Sequence, residues 1–393
     1  MDVIKDLSGS EHEPITCIDM HTCGEPTRII IKGYPSLTGS LLEQRSQAKS
    51  QYDHIRRRLM LEPRGHFDMY GAILRQETEL TKSGQADIGV LFTTNDGYST
   101  MCGHATIALG RFLVDTHDLE MFPNRKKLQL DSEKGTTFVR LHAPCGLVEV
   151  TVPTKEDGMK SDPSRPVTFT SVDCFATGLN ITIRLPNNPV WPSDFSIVAD
   201  FSYGGAFYCF VNVRQLPFLN SLSKFDMDVA NQFTKALKAT INNDLELSHV
   251  FRHPKENDLS FLYSVILVDT DLGVPLPGSQ GAESGLCFFA DQQVDRSPTG
   301  SAVSARLALA YAHKKLKTGN SWTYHSLVSL KRNDRAAFMG TVLEEVKIDI
   351  PMQYPCVKTQ IEGHASYTGY HTFVVETNDL LGNDGFTMKG LAE

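Results

Sequence analysis

Apolar positions along the chain fall into short alternating or continuous runs punctuated by Gly, Pro and Asn/Asp turns. Only a few longer stretches carry helical spacing. Residues 15–20 and 28–31 read as strands joined by a turn at Gly24 and Pro26. The charged, Gly- and Pro-free stretch 41–61 predicts one helix, stopped by Pro63. Strands are predicted at 69–77 and 88–93, followed by a helix from Ala105 with Ile107, Leu109, Phe112 and Leu113 as its apolar positions. Further strands over 138–141 and 147–152 are closed by Pro153.

The Gly/Pro/Asp/Ser-rich segment 154–166 predicts a linker, and the order then recurs. Strands at 173–180 and 202–213, the latter with Gly204-Gly205, precede a helix over 226–243 with Asp226 as its N-cap. A strand over 259–268 matches 69–74, Tyr263-Ser-Val-Ile-Leu standing against Tyr70-Gly-Ala-Ile-Leu. A strand at 286–290 leads to a helix from Thr299 through Lys317, then strands at 328–330, 337–342 and 346–350. The pattern predicts two similar, pseudo-symmetric α+β domains with a site in the cleft between them. The first covers 15–153 and carries Cys102; the second covers 167–364 and carries Thr299. The strand-like segment 365–376 has no counterpart in the first half, so 365–393 is assigned back to the first domain. Residues 1–14, polar and acidic, predict a disordered lead-in.

At 393 residues the chain exceeds what one hydrophobic core usually serves, which agrees with two domains. A formal net charge of −8 argues against a nucleic-acid or anionic-membrane surface. No stretch approaches the length of an apolar membrane span, and the N-terminus has no signal-peptide core. The cysteines at 17, 23, 102, 145, 174, 209, 287 and 356 show no Cys-x-x-Cys spacing. Reduced thiols in a cytoplasmic protein are expected, with no metal site.

The candidate chemistry lies where the two matching helices begin. Cys102-Gly103-His104-Ala105 aligns with Thr299-Gly300-Ser301-Ala302, each a small-residue helix start after an apolar strand. Helix N-termini offer N–H donors to an anion, and a cysteine there can be held as thiolate. A thiolate beside a bound carboxylate can remove the α-proton of an amino acid, if the same N–H groups stabilise the developing enediolate. Two facing cysteines would permit racemisation. A threonine hydroxyl is too weak an acid to exchange roles with a thiolate, and departure of a β-hydroxyl would complete a one-base reaction instead.

The motifs Met101-Cys-Gly-His104, Asp295-Arg-Ser-Pro-Thr-Gly300, Asp19-Met-His-Thr-Cys-Gly-Glu-Pro-Thr-Arg28, Tyr203-Gly-Gly-Ala-Phe-Tyr208 and Tyr367-Thr-Gly-Tyr-His-Thr-Phe-Val-Val375 together resemble the proline racemase family over nearly the whole chain. Racemases and 4-hydroxyproline 2-epimerases of that family carry Cys where this chain has Thr299. Threonine there resembles the trans-3-hydroxy-L-proline dehydratase branch. The resemblance implies a diaminopimelate-epimerase-like fold, no cofactor, and water elimination giving a pyrroline-2-carboxylate. It implies Cys102 as the base, Gly103, His104, Gly300 and Ser301 around the substrate carboxylate, and Asp295 beside the ring ammonium. Family members are often dimers, so a homodimer is the implied assembly. Ala105, where racemases usually carry a polar residue, fits the dehydratase branch; the segment 185–192 has no assigned role.

Plainer roles stand beside these. His104 offers either its ring or its backbone N–H, and Thr299 either donates to the leaving hydroxyl or caps its helix. Asp295 can anchor its own loop, and His21 and Glu25 can serve only their turn. Cys23 and Cys287 are read as structural. The alternatives to a dehydratase are an isomerase of the same family, a Cys102–His104 hydrolase, and a silent binder of cyclic amino acids. Two residues apart at a helix start is poor geometry for the hydrolase pair.

Overall fold

A computed structural model describes residues 2–388 apart from 8, 10, 12, 156, 333–335, 349–351 and 377. The chain divides into two compact units. One comprises the residues up to Thr100, His104–Val167 and those from His364 onward; the other comprises Met101–Gly103 and Thr168–Gly363. The expected division put Cys102 with the first unit, whereas Met101–Gly103 groups with the second.

The first unit opens on a short helix, α1 (Val3–Leu7), where the Asp2 carboxylate accepts the Ile4 N–H at 3.2 Å. This helix lies within the residues 1–14 expected as a lead-in. Strands β1 (Ile15–Thr22) and β2 (Glu25–Lys32) turn at Cys23 and Gly24, both at positive φ. The single helix expected over 41–61 is two, α2 (Leu41–Gln51) and α3 (Asp53–Met60), because Tyr52 leaves helical geometry at φ −127°. The break lets Asp53 pair with Arg56, whose guanidinium also donates to the Thr94 and Asn95 carbonyls.

Then follow β3 (Gly71–Arg75), α4 (Glu79–Lys82), β4 (Ile88–Thr93), β5 (Tyr98–Ser99), α5 (Gly103–Asp115), β6 (Gln129–Asp131), β7 (Thr136–Ala143) and β8 (Gly146–Pro153). Gly110 lets α5 press on its sheet: a Cβ there would lie 2.5 Å from Val150 and 3.2 Å from Val152. The segment 154–166, expected as a linker, belongs to this unit. Ser161 donates its N–H and hydroxyl to the Asp115 carboxylate and accepts from Arg111, which ties the segment to the end of α5.

The second unit contains β9 (Val167–Thr170), β10 (Cys174–Arg184), β11 (Ser196–Tyr203), β12 (Phe207–Asn212), α6 (Met227–Asn243), β13 (Leu262–Asp269), β14 (Ala282–Phe289), β15 (Gln293–Val294), α7 (Gly300–Ala312), β16 (Ser321–His325), α8 (Leu327–Arg332), β17 (Phe338–Val346) and β18 (Cys356–Gly363). Its strands pair in the order β10-β11-β12-β13-β14-β16-β17-β18, and β18 pairs back onto β10, closing a ring. Helix α7 packs against β10, β11, β12, β17 and β18 and is buried from Gly300 through Leu309. Such a helix is mostly apolar or small, as Gly300-Ser-Ala-Val-Ser-Ala is, and its buried Arg306 is paired with Glu283. Helix α6 covers a separate apolar layer, Phe233, Leu237 and Ile241 clustering with Phe201, Val211, Val265 and Leu267. The segment 185–192 delivers Trp191 to that layer, its indole N–H donating to the Pro186 carbonyl.

Two expected strands are corrected. Residues 328–330 lie in α8, started by Ser326 and Ser329, each hydroxyl accepting the other's N–H. The strand that answers β7 is β16. β17 ends at Val346, and positions 349 and 350 of the strand expected at 346–350 lie outside the described residues. Finally β19 (Ala365–Phe373) and α9 (Leu380–Asp384) return to the first unit, β19 pairing antiparallel with β1 from Ile15↔Phe373 to Thr22↔Ala365.

The first unit's pairing order is therefore β19-β1-β2-β3-β4-β7-β8, with parallel steps at β2–β3 and β4–β7. The second repeats it as β10-β11-β12-β13-β14-β16-β17, with parallel steps at β12–β13 and β14–β16. α5 and α7 occupy the same place in the two orders.

Candidate active site

The loop before α7 is organised by its own side chains. Asp295 Oδ1 accepts the Ser297 N–H at 2.7 Å, and Ser297 Oγ accepts the Thr299 N–H at 3.1 Å. The Thr299 hydroxyl then donates to Asp295 Oδ2 at 2.7 Å, closing the circuit. All three side chains are buried. Thr299 sits in the left-handed region at φ 63° and ψ 84°, an uncommon conformation for a β-branched residue.

This arrangement resolves two of the open roles. Thr299 does not cap α7 with its hydroxyl, because that hydroxyl is turned to Asp295. Asp295 does anchor its loop, yet two accepted hydrogen bonds leave a carboxylate with further lone pairs. The first bond of α7 runs from the Val303 N–H to the Thr299 carbonyl at 2.8 Å, so the N–H groups of Gly300, Ser301 and Ala302 have no acceptor within the helix.

Met101, Cys102 and Gly103 are buried and grouped with the same unit. Gly103 lies against Gly300 backbone to backbone: a Cβ on Gly103 would stand 2.5 Å from the Gly300 Cα, and one on Gly300 would stand 2.9 Å from the Gly103 Cα. Phe169 closes on Gly300 from β9, 3.3 Å from that imagined Cβ. The second unit thus holds Cys102, Gly103, Asp295, Thr299, Gly300 and Ser301 together.

His104 belongs to the first unit. Its ring packs edge-on against Tyr70 at 4.7 Å between centroids, and its carbonyl accepts the Thr22 hydroxyl at 2.8 Å. His21 Nδ1 accepts the Gly24 N–H at 3.2 Å, holding the β1–β2 turn, and Glu25 is fully buried. At the ends of the same motif, Asp19 and Arg28 form a buried two-pronged ion pair at 2.9 and 3.0 Å. The eight cysteines form no disulfide among the described residues. Cys23 lies at the positive-φ turn, and the Cys287 carbonyl accepts the Asp295 N–H at 3.2 Å.

Two residues near α7 were not singled out from the sequence. Ser297 is one; the Asp-x-Ser-x-Thr spacing is that of consecutive side-chain turns and was readable. Tyr208 is the other, its hydroxyl 2.6 Å from Ser301 Oγ. Burial pushes the Tyr208 phenol well above its usual range, so it stays neutral. Gly204, ahead of Tyr208 in its motif, has no room for a side chain: a Cβ there would stand 2.3 Å from the Ser301 carbonyl oxygen and 2.6 Å from the Ala305 nitrogen.

Two α+β units of one topology, with Cys102 and Thr299 at equivalent helix starts, define a class that known proteins share. Residues 17–387 match the family described as proline racemase, and the chain belongs to that family. It is 37% identical to the human trans-3-hydroxy-L-proline dehydratase over 386 residues, covering 96% of this chain and 97% of that one. It is 32% identical to a trans-3-hydroxy-L-proline dehydratase of Bacillus thuringiensis, covering 93% and 96%. A hydroxyproline epimerase from Agrobacterium vitis, solved with bound trans-4-hydroxy-L-proline, shares the fold with a TM-score of 0.76 at 24% identity, covering 96% of this chain and 95% of that one.

Proposed function

We propose that the protein is a trans-3-hydroxy-L-proline dehydratase, a hydro-lyase with Cys102 as its base. The observation that carries this reading is Thr299. At the position equivalent to Cys102 stands a hydroxyl already donated to Asp295, so that position supplies no second thiol to answer Cys102. Full-length relatives at 37% and 32% identity bear that activity in their names.

In this reading the substrate carboxylate rests on the N–H groups of Gly300 and Ser301, with Gly103 against Gly300 beside them. Asp295 faces the ring ammonium with its remaining lone pairs, a charge-assisted contact. The Cys102 thiolate takes the α-proton, and the N–H groups hold the enediolate that forms. The electron pair left on the α-carbon forms the carbon–carbon double bond as the C3–O bond breaks. The departing hydroxide takes up the proton carried by Cys102 and leaves as water, which regenerates the thiolate. The enamine product tautomerises to the pyrroline carboxylate, so atoms balance with no redox step.

The test is proton NMR of the protein in D₂O with trans-3-hydroxy-L-proline, L-proline and trans-4-hydroxy-L-proline in separate tubes. Loss of the 3-hydroxy compound alone, to a pyrroline carboxylate, is the expected result. Deuterium entry with inversion at the α-carbon of either other compound would hand the reading to the isomerases.

A further inference from the structure

The circuit Asp295–Ser297–Thr299 fixes α7 from the outside of its first turn. Ser301, inside that turn, is fixed from a different element. Tyr208 is the second residue of β12, and its hydroxyl lies 2.6 Å from Ser301 Oγ with both side chains buried. Its neighbours Cys209 and Val211 belong to the apolar layer under α6, and Tyr208 does not, consistent with strand alternation placing its ring on the α7 side. The ring is held edge-on by Tyr263 at 5.9 Å and tilted against Phe210 at 5.9 Å. Gly204 lets the β11–β12 turn press on the Ser301 carbonyl, so the same hairpin grips Ser301 by backbone and by side chain.

A phenol is the stronger acid and a serine hydroxyl the better acceptor. The favoured sense is therefore Tyr208 donating to Ser301 Oγ, which leaves the Ser301 O–H free to donate onward. We propose that Tyr208 is a positioning residue for substrate binding: it orients the Ser301 hydroxyl so that it adds a hydrogen bond to the substrate carboxylate beside the α7 N–H groups. The inference rests on the functional reading above and goes beyond it by naming a residue on a strand that does not touch the substrate. Burial, with Tyr263, Cys287 and Cys102 nearby, keeps the Tyr208 phenol protonated and so able to donate.

The experiment is a cycle of Tyr208→Phe, Ser301→Ala and the double variant, read as kcat and KM for trans-3-hydroxy-L-proline alongside melting temperature. Tyr208→Phe should raise KM about tenfold with kcat changed less than about threefold, the pattern of a lost ground-state contact. In the Ser301→Ala background the same change should add nothing. Equal KM losses in both backgrounds, or an unchanged KM in a folded Tyr208→Phe, would overturn the proposal. If Tyr208→Phe does not fold, Ser301→Ala decides: an unchanged KM there overturns it, and a tenfold rise supports it. Failure of the wild-type protein to turn over the substrate at all would sink the functional reading, a result distinguishable from any variant outcome.

Discussion

Gly103 and Gly300 touch backbone to backbone, and neither has room for a methyl group. Neither residue is at positive φ, so the demand is for space and not for conformation. The contact brings the residue after Cys102 against the residue after Thr299. Alanine at either position must push two helix starts apart by about half an ångström to 1 Å, since the added Cβ would stand 2.5 or 2.9 Å from backbone. Displacements of that order at a reacting centre cost about a hundredfold. Gly103→Ala and Gly300→Ala should each lower kcat/KM by about that factor, measured on trans-3-hydroxy-L-proline, while circular dichroism stays that of a folded protein. A variant with normal kcat/KM would show that the contact does not set the site's geometry.

Cys102→Ser should abolish dehydration to the limit set by a poor base, a loss of about a thousandfold or more. The variant should also fail to exchange the α-proton of the substrate for deuterium. Retained exchange without dehydration would mean that another group is the base.

The Thr299 hydroxyl supplies the one donor that ties the far end of its loop to Asp295. Thr299→Val keeps the shape and removes that bond to a charged acceptor, which is worth about 1.5–3 kcal/mol. It should lower kcat/KM about tenfold to a hundredfold. Thr299→Ser keeps the bond and removes the β-branch that strains the left-handed backbone. It should retain most activity and melt at the same temperature or higher.

Much of this could be read from the chain before any coordinates. The recurrence of Tyr70-Gly-Ala-Ile-Leu and Tyr263-Ser-Val-Ile-Leu, each ahead of a small-residue helix start, carried the duplicated topology, because buried strands read as continuous apolar runs. What failed did so for local reasons. Val328-Ser-Leu330 looks like a strand until the Ser326–Ser329 reciprocal cap is considered, and β16 is only five residues long, with Trp322 and Tyr324 too few to stand out as a run. β18, Val357-Lys-Thr-Gln-Ile-Glu, has Val357 and Ile361 four residues apart, and Thr359 between them breaks the apolar alternation. The Tyr208–Ser301 contact joins residues on separate elements and has no periodicity to reveal it. The Asp19–Arg28 pair shows the opposite case, a motif whose ends serve the frame.

That frame can be broken. Arg28 donates to Asp19 through two nitrogens and to the carbonyls of Leu59 and Arg64, and its guanidinium lies 4.4 Å from the Phe373 ring centroid. Asp19→Ala leaves a buried guanidinium with its carbonyl partners but without its counter-charge, a defect of about 3–5 kcal/mol. It should lower the urea midpoint accordingly. Arg28→Met together with Asp19→Leu should recover part of that loss, since an apolar pair removes the stranded charge. If Asp19→Ala alone is neutral, the pair contributes nothing to stability.

His253 should contribute to a loss of stability in mild acid. Burial, with Lys255 adding to it, lowers its imidazole pKa to about 4 from the usual 6.5. Its Nδ1 accepts the N–H groups of Lys255 and Glu256, at 3.3 and 2.9 Å, and its ring packs 5.0 Å from that of Tyr203. A protonated Nδ1 could accept neither bond. The unfolded chain therefore binds the proton first. Its stabilising contribution is whole above about pH 6.5, shrinks as the pH falls toward about 4, and is gone below that. Part of the ring faces water, so solvent screening moderates the size of the effect. His253→Asn keeps an acceptor and cannot titrate. In urea unfolding at pH 7 and pH 5, the wild-type midpoint should fall between the two conditions by more than that of His253→Asn. Equal falls would assign the acid sensitivity to other groups.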